Sequence, residues 1–306
     1  MKLENAKVLI TGGAGFIGSH IVDKLVENQV SVVVLDNLSS GKLLNIPSDK
    51  IKFYNADIEN PQIDEIFASE KPDFVVHLAA QTSVAYSVLN PIDDVERNII
   101  GSLNILNACK KYNVKKIIAA SSAAVYGNPQ YLPIDEKHPT IPMSPYGLSK
   151  LTMEKYIKLS NVPYVIFRFS NAYGPRQQSS KESGVVAIFN DAMLNNKPVN
   201  IYGDGEQLRD FVSVEDIASA CIETLKSDIE NEIFNFSTNK GVTINYVFEE
   251  MKKTCEYQNE ANYLLERKGE IRDSILSNKK FLNKINTASM TSLQDGIIKL
   301  KNFIQR

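Results

Sequence analysis

Residues 8–18 read Val8-Leu9-Ile10-Thr11-Gly12-Gly13-Ala14-Gly15-Phe16-Ile17-Gly18, an apolar stretch that runs directly into four glycines. The segment that follows, Ser19–Glu27, has a helical pattern. A strand, a glycine-rich turn and a helix in this order form the entry to a dinucleotide site. One glycine makes the tight turn, another lets the backbone approach a pyrophosphate, and Gly18 lets helix and strand pack closely. The helix N-terminus then offers N–H groups and a positive dipole end to the phosphates. Taken alone, such a fingerprint also fits an ordinary strand-to-helix turn. The next strand decides the reading, because the apolar run Ser31–Leu35 is closed by Asp36. A carboxylate there accepts hydrogen bonds from the adenosine ribose hydroxyls and repels a 2′-phosphate, so NAD is expected in preference to NADP.

The chain has 306 residues, enough for a large core in one domain or two. Its formal net charge is −2, with both signs scattered throughout, which argues against a nucleic-acid partner. Cys109, Cys221 and Cys255 are widely spaced, forming neither a disulfide framework nor a metal site, so reduced thiols and no bound metal are expected. The first strand begins near Lys7, leaving no room for a signal peptide, and no apolar stretch approaches the length that spans a bilayer. A soluble cytoplasmic protein is expected, with no membrane partner.

Strand-like and helix-like segments alternate through the first half. The runs Lys7–Thr11, Ser31–Asp36, Ile51–Tyr54, Phe74–Leu78, Lys116–Ala120 and Tyr164–Phe169 are β-rich. Between them lie the helical patterns Ile17–Glu27, Ile63–Ser69, Val95–Lys111 and Tyr146–Leu159. This alternation predicts an α/β fold, a doubly wound parallel sheet (Rossmann) with helices on both faces. After Asn171 the rhythm breaks into a smaller α+β substrate lobe. Residues 1–170 are expected to form the NAD-binding domain, with 214–237 returning to it, and 171–213 with 238–306 to form the substrate lobe. In such folds ligands bind in the crevice at the carboxyl ends of the strands.

Tyr146-Gly-Leu-Ser-Lys150 carries the chemistry. A spacing of four places both side chains on one helix face, one turn apart. An ammonium beside a phenol favours the phenolate, so Lys150 is expected to lower the Tyr146 pKa from its ordinary ~10. Such a tyrosine can take a proton from an alcohol while a hydride leaves the same carbon. Ser121 and Ser122, in Ser-Ser-Ala-Ala-Val-Tyr-Gly at the end of the fifth strand, fall at the same crevice. A hydroxyl there could bond the reacting oxygen.

With these motifs the chain resembles the extended short-chain dehydrogenase/reductases of the nucleotide-sugar epimerase/dehydratase family, and within it the shorter UDP-hexose 4-epimerases. The likeness spans nearly the whole length. It includes the glycine entry, Asp36-Asn37-Leu38-Ser39-Ser40-Gly41, Asp57-Ile58, His77-Leu78-Ala79-Ala80, Asn98, Tyr146-x-x-x-Lys150, Arg168-Phe-Ser-Asn171-x-Tyr173-Gly-Pro-Arg176 and Gly203-Asp-Gly-Glu-Gln-Leu-Arg209-Asp-Phe. The resemblance implies that Gly12, Gly15, Phe16, Ile17, Gly18, Asp36, Asn37, Ser39, Ser40 and Gly41 hold the cofactor. Asp57 and Ile58 would flank its adenine, and Leu78, Ala79, Ala80, Asn98, Ser121 and Tyr173 would complete that site. Ser122 would assist Tyr146, and Lys150 would hold the nicotinamide ribose. Ser83 and Asn171 would contact the substrate, Arg209 and Arg267 its diphosphate, and Glu270 its uridine ribose.

The same fold and Tyr/Lys pair serve several reactions. Relatives that eliminate water carry an acid pair where this chain has Ala123 and Ala124, which move no proton. Decarboxylating relatives carry a glutamate there, and no extra acid/base pair for chemistry at C3 or C5 announces itself. What remains is NAD-dependent redox at C4, with a 4-keto sugar that turns about its diphosphate tether and a cofactor regenerated in each cycle. Gly269-Glu270-Ile271-Arg272-Asp273-Ser274 resembles the strip that ends at the pocket-gating residue, and the small Ser274 implies room for a 2-acetamido group. UDP-glucose/UDP-galactose and their N-acetylated counterparts are the implied substrates. A GDP-, CDP- or dTDP-sugar epimerase or reductase remains the enzymatic alternative, and a non-catalytic dinucleotide sensor the alternative from another class. The resemblance also implies a homodimer built on Val95–Lys111 and Tyr146–Leu159.

Overall fold

The computed structural model describes residues 3–179, 183–267, 271–285 and 290–304. In chain order the first half comprises β1 (Lys7–Thr11), α1 (Phe16–Glu27), β2 (Ser31–Asp36), β3 (Lys52–Asn55), α2 (Gln62–Glu70), β4 (Phe74–His77), α3 (Val84–Leu89), α4 (Pro91–Val95), a π-helical turn (Glu96–Ile100), α5 (Gly101–Lys111), β5 (Lys116–Ser122), α6 (Pro145–Leu159) and β6 (Tyr164–Phe169). The second half comprises β7 (Asn171–Tyr173), α7 (Val185–Leu194), β8 (Asn200–Tyr202), β9 (Leu208–Arg209), β10 (Phe211–Ser213), α8 (Val214–Lys226), β11 (Glu232–Phe236), β12 (Val242–Thr243), α9 (Ile244–Cys255), β13 (Asn262–Leu264), α10 (Lys279–Leu282) and α11 (Leu293–Ile304).

Seven of these strands form one parallel sheet in the order β11-β6-β5-β4-β1-β2-β3. The order reverses between β1 and β4, and the crevice of a doubly wound sheet opens at such a reversal. The apolar runs of β1 and β2 are buried on both faces, and their side chains alternate between two cores. Val8, Ile10, Val32 and Val34 pack with α1 and α8, whereas Leu9, Val33 and Leu35 pack with α2, α5 and α6. The segment from Val214 to Phe236 lies with the first layer, since α8 packs against α1 and β11 pairs with β6 in register Phe234↔Phe167. A third core, including Tyr173, Phe189, Phe211, Phe248 and Met251, unites α7, α9 and α11 beyond the sheet.

Val95–Lys111, read as one helix, contains the π-helical turn at Glu96–Ile100. The cause is tertiary. Asn98 is buried in that turn and spends its amide on neighbours: it accepts from Gln81 N at 2.8 Å and donates to Gln81 O and Asp94 Oδ1, both at 3.0 Å, and to Ser149 Oγ at 3.1 Å. These bonds fix the segment after β4 against α6. The start of α6 is set locally, by the Ser144 hydroxyl accepting from Gly147 N at 3.1 Å and by Pro145 in the first turn.

Candidate active site

A cleft of about 630 Å³ lies at the carboxyl ends of the strands. Its floor is the turn after β1, and there the backbone is bare. Gly12 has φ +71°, and a Cβ on it would meet Ala79 N at 2.8 Å. A Cβ on Gly15 would lie 3.2 Å from Gly12 O, and one on Gly18 only 2.1 Å from the same oxygen. The approaches at Gly12 and Gly18 exclude side chains and the one at Gly15 leaves little room for one, so the turn leaves a cradle of main-chain groups at the N-terminus of α1. Asp36 closes β2 beside it. Its carboxylate accepts from Ala14 N at 2.9 Å and Leu38 N at 2.8 Å, which orients it at the edge of the cradle. Gly41 stands behind this carboxylate, where a Cβ would fall 2.8 Å from Asp36 Oδ1. Asn37 donates to Asp57 Oδ2 at 2.8 Å, tying the ends of β2 and β3 together. Bare backbone, an oriented carboxylate and the apolar Ile58 and Leu78 around them fit a dinucleotide.

The cleft brings together Gly12, Gly15, Phe16, Ile17, Gly18, Asp36, Asn37, Ser39, Ser40, Asp57, Ile58, Leu78, Ala79, Ala80 and Ser83 with Ser121, Ser122, Tyr146, Lys150 and Asn171. Ser83 also caps α3, accepting from Tyr86 N at 2.9 Å. Asn171 donates to Asp210 O at 3.1 Å. Some expected residues lie elsewhere. Asn98 sits behind the cleft, where it braces the backbone at Gln81. Tyr173 is in the third core, edge-on to Phe211 with its hydroxyl donating to Ser292 O at 3.3 Å, while Phe169 and Ala172 reach the cleft instead. Arg209 donates to the carbonyls of Leu208 and Arg272, at 3.0 and 2.8 Å, and Arg267 stacks 3.9 Å over the Tyr202 ring. Ser274 is bridged to Arg209, its N–H donating to Leu208 O at 3.0 Å. Glu270 is outside the described residues. Arg176, which ends the Arg168–Arg176 motif but has no role assigned from sequence, also lines the cleft with Gln177 and Gln178; the sequence carries no local signal that the turn after β7 folds back over α1.

The electrostatics correct one expectation. Lys150 does not lower the Tyr146 pKa here; burial pushes the phenol up to about 12, opposed by a hydrogen bond with Ser122. The ammonium donates to Ala120 O at 3.0 Å, and burial lowers its pKa to about 8 against the pull of Asp94 and Glu154. Desolvation dominates both groups because both are enclosed by protein. The two serines also differ. Ser121 donates to Glu154 Oε1 at 2.5 Å, and Glu154 is held by Arg168 at 2.6 Å, so that hydroxyl proton is spent. Ser122 accepts from Ala124 N at 3.1 Å and is hydrogen-bonded to the Tyr146 phenol, so its hydroxyl is turned to the reacting group.

Residues 8–236 match the NAD dependent epimerase/dehydratase family. The chain belongs to that family. One curated relative, a putative UDP-glucose 4-epimerase of Methanocaldococcus jannaschii, is 45% identical over 97% of this chain and 98% of its own. Among solved structures, UDP-glucose 4-epimerase from Thermotoga maritima with UDP-glucose is 42% identical, with TM-score 0.94 over 98% of each chain. The UDP-N-acetylglucosamine 4-epimerase of Methanobrevibacter ruminantium, in complex with UDP-N-acetylmuramic acid, is 36% identical, with TM-score 0.94 over 100% of this chain and 99% of its own. The cofactor of this epimerase/dehydratase family member is therefore NAD.

Proposed function

We propose that this protein interconverts the C4 epimers of a UDP-hexose, both the plain and the N-acetylated sugars. The observation that carries the reading is that Tyr146, Lys150 and Ser122 share one cleft with the glycine cradle and Asp36, while the neighbouring acid/base positions are Ala123 and Ala124. When bound, NAD supplies the acceptor and donor of the C4 hydride. Tyr146 takes the O4 proton and gives it back, acting as base and then as acid. Ser122, already hydrogen-bonded to the Tyr146 phenol, is the hydroxyl that donates to O4 when substrate is bound. Lys150, one helical turn from Tyr146, holds the nicotinamide ribose. Asn171 and Ser83, which line the same cleft, contact the substrate. Arg209 and Arg267, which stand outside the cleft lining, are assigned its diphosphate on the family resemblance, and a planar guanidinium matches phosphate oxygens. Residues 1–170 with 214–237 hold the cofactor, and the remainder holds the sugar nucleotide in a reducing, cytoplasmic setting that suits three free thiols.

Ser274 supports the wider substrate range. Its backbone is fixed beside Arg209, so a small side chain stands at a rigid position, and the Methanobrevibacter relative acts on a 2-acetamido sugar. The test is to incubate the purified protein, without added cofactor, with UDP-galactose or UDP-N-acetylgalactosamine and to resolve the products by NMR. Conversion of both to their 4-epimers is expected. Ser274→Tyr should then suppress the N-acetylated substrate selectively. No product from either sugar, with folding verified and NAD supplied, would overturn the reaction; equal loss on both in the variant would remove Ser274 as the gate.

A further inference from the structure

The turn after β7 carries more contacts than a connection needs. Gly174–Gln178 leaves the second lobe and crosses to the opposite wall of the cleft, where three side chains meet it or reach out from it. His20 on α1 donates to Pro175 O at 3.0 Å. Asp23, one turn further along α1, lies 2.7 Å from Arg176 Nη1. Gln178 donates to Ser40 O in the loop after β2. Behind the turn, Gln177 is fastened to Ala172 O at 3.1 Å. Phe16, His20 and Asp23 follow helical spacing, so one face of α1 runs from the floor of the cleft to the point where the turn lands. Arg176 has φ +67°, a left-handed conformation that a non-glycine residue holds only when its surroundings enforce it. Its Nη1 is buried, and the carboxylate beside it lies outside hydrogen-bond alignment.

Both supports of this crossing belong to the cradle: α1 begins at it, and Ser40 lies in the Asp36–Gly41 loop. Arg176, Gln177 and Gln178 line the cleft together with Gly12, Gly15, Phe16 and Ile17. We propose that Asp23 and His20 are positioning residues that pin Gly174–Gln178 as a roof over the dinucleotide, so that NAD leaves only when the roof contacts break. The inference rests on the reading that the cofactor stays bound through the catalytic cycle. A dinucleotide beneath a pinned crossing exchanges slowly even where each single contact to it is weak, because release must first disrupt several contacts together.

The experiment measures exchange of bound NAD against an excess of isotopically labelled NAD, by mass spectrometry of the protein after rapid desalting. Asp23→Asn, nearly isosteric at a partly exposed helix position, and Asp23→Lys are compared with wild type and with the charge-swapped pair Asp23→Lys/Arg176→Glu. Exchange at least tenfold faster in Asp23→Lys, an intermediate rate in Asp23→Asn and recovery in the swapped pair are expected. A stabilising contact without a roof role would lower the melting temperature and leave the exchange rate unchanged. Wild-type exchange rates in both single variants, or no recovery in the swap, would overturn the roof. If wild-type protein itself exchanged NAD within the desalting time, the premise of a retained cofactor would fail instead, so the two failures are distinguishable.

Discussion

Tyr146 and Lys150 form a pair whose charges are set against burial. The phenol stands near 12 and the ammonium near 8, so in the protein alone the proton belongs on the tyrosine. Catalysis needs that balance tipped, and the positive charge that oxidised nicotinamide would bring to the cleft would act in the required direction. Tyr146→Phe removes the proton acceptor and leaves the apolar ring in place. Turnover should fall about a hundred- to ten-thousand-fold, the usual contribution of a general base, while NAD content and folding are kept. Near-normal product formation in that variant would remove Tyr146 from the reaction. The lysine gives the pH dependence. Its pKa is depressed, so its charge is present below about pH 8 and lost above it, and turnover should decline as pH rises through that value or lower once NAD adds its own charge. A rate that stays flat to pH 10 would show that the ammonium does not titrate there. Spacing alone placed these two residues together, whereas their pKa values come from enclosure by segments distant in sequence and could not be read in advance.

At the scale of elements, the strands of the large sheet were legible because a parallel strand buried on both faces is written as a continuous apolar run. The small pairs of the second lobe were less so, since β9 and β12 have two residues each and are held by their neighbours rather than by their own pattern. Tyr173 shows the same limit within one strand: the family resemblance implied a place at the cofactor, but the ring packs against Phe211 in the third core. The π-helical turn was invisible for a related reason. Its hydrogen-bond shift is stabilised by Asn98 serving Gln81, seventeen residues away in sequence. Asn98→Ala would leave Gln81 N without its acceptor and Asp94 without one of its donors in a buried setting. A loss of about 2 kcal/mol in chemical denaturation is expected, the ordinary cost of orphaning a buried polar group. It should be accompanied by weaker NAD binding, because Leu78–Ala80 lead directly into the braced segment. Unchanged stability would mean that the turn is maintained by backbone packing alone.

For the whole molecule, the surface beside α6 is the feature that the single chain does not explain. Leu89, Ile92 and Leu159 are 79, 74 and 77% exposed, and Val88, Val95, Ile100, Leu148 and Tyr156 are exposed around them on α3, α4, the π-helical turn and α6, elements that pack against one another. Isolated exposed apolar residues are ordinary, but a concentration of this kind on adjoining helices marks an interaction surface. In a homodimer the same patch serves both subunits about a twofold axis, so one substitution acts twice. α6 also carries Tyr146 and Lys150 on its buried side, and burying its outer face would stiffen the helix that aims them. Ile92→Glu combined with Leu159→Glu would place charges on both sides of such an interface. Sedimentation should show wild type at twice the single-chain mass and the double variant at the single-chain mass, with slower turnover and a lower melting temperature. Wild type sedimenting as a single chain at micromolar concentration would overturn the dimer, as would a double variant that still pairs.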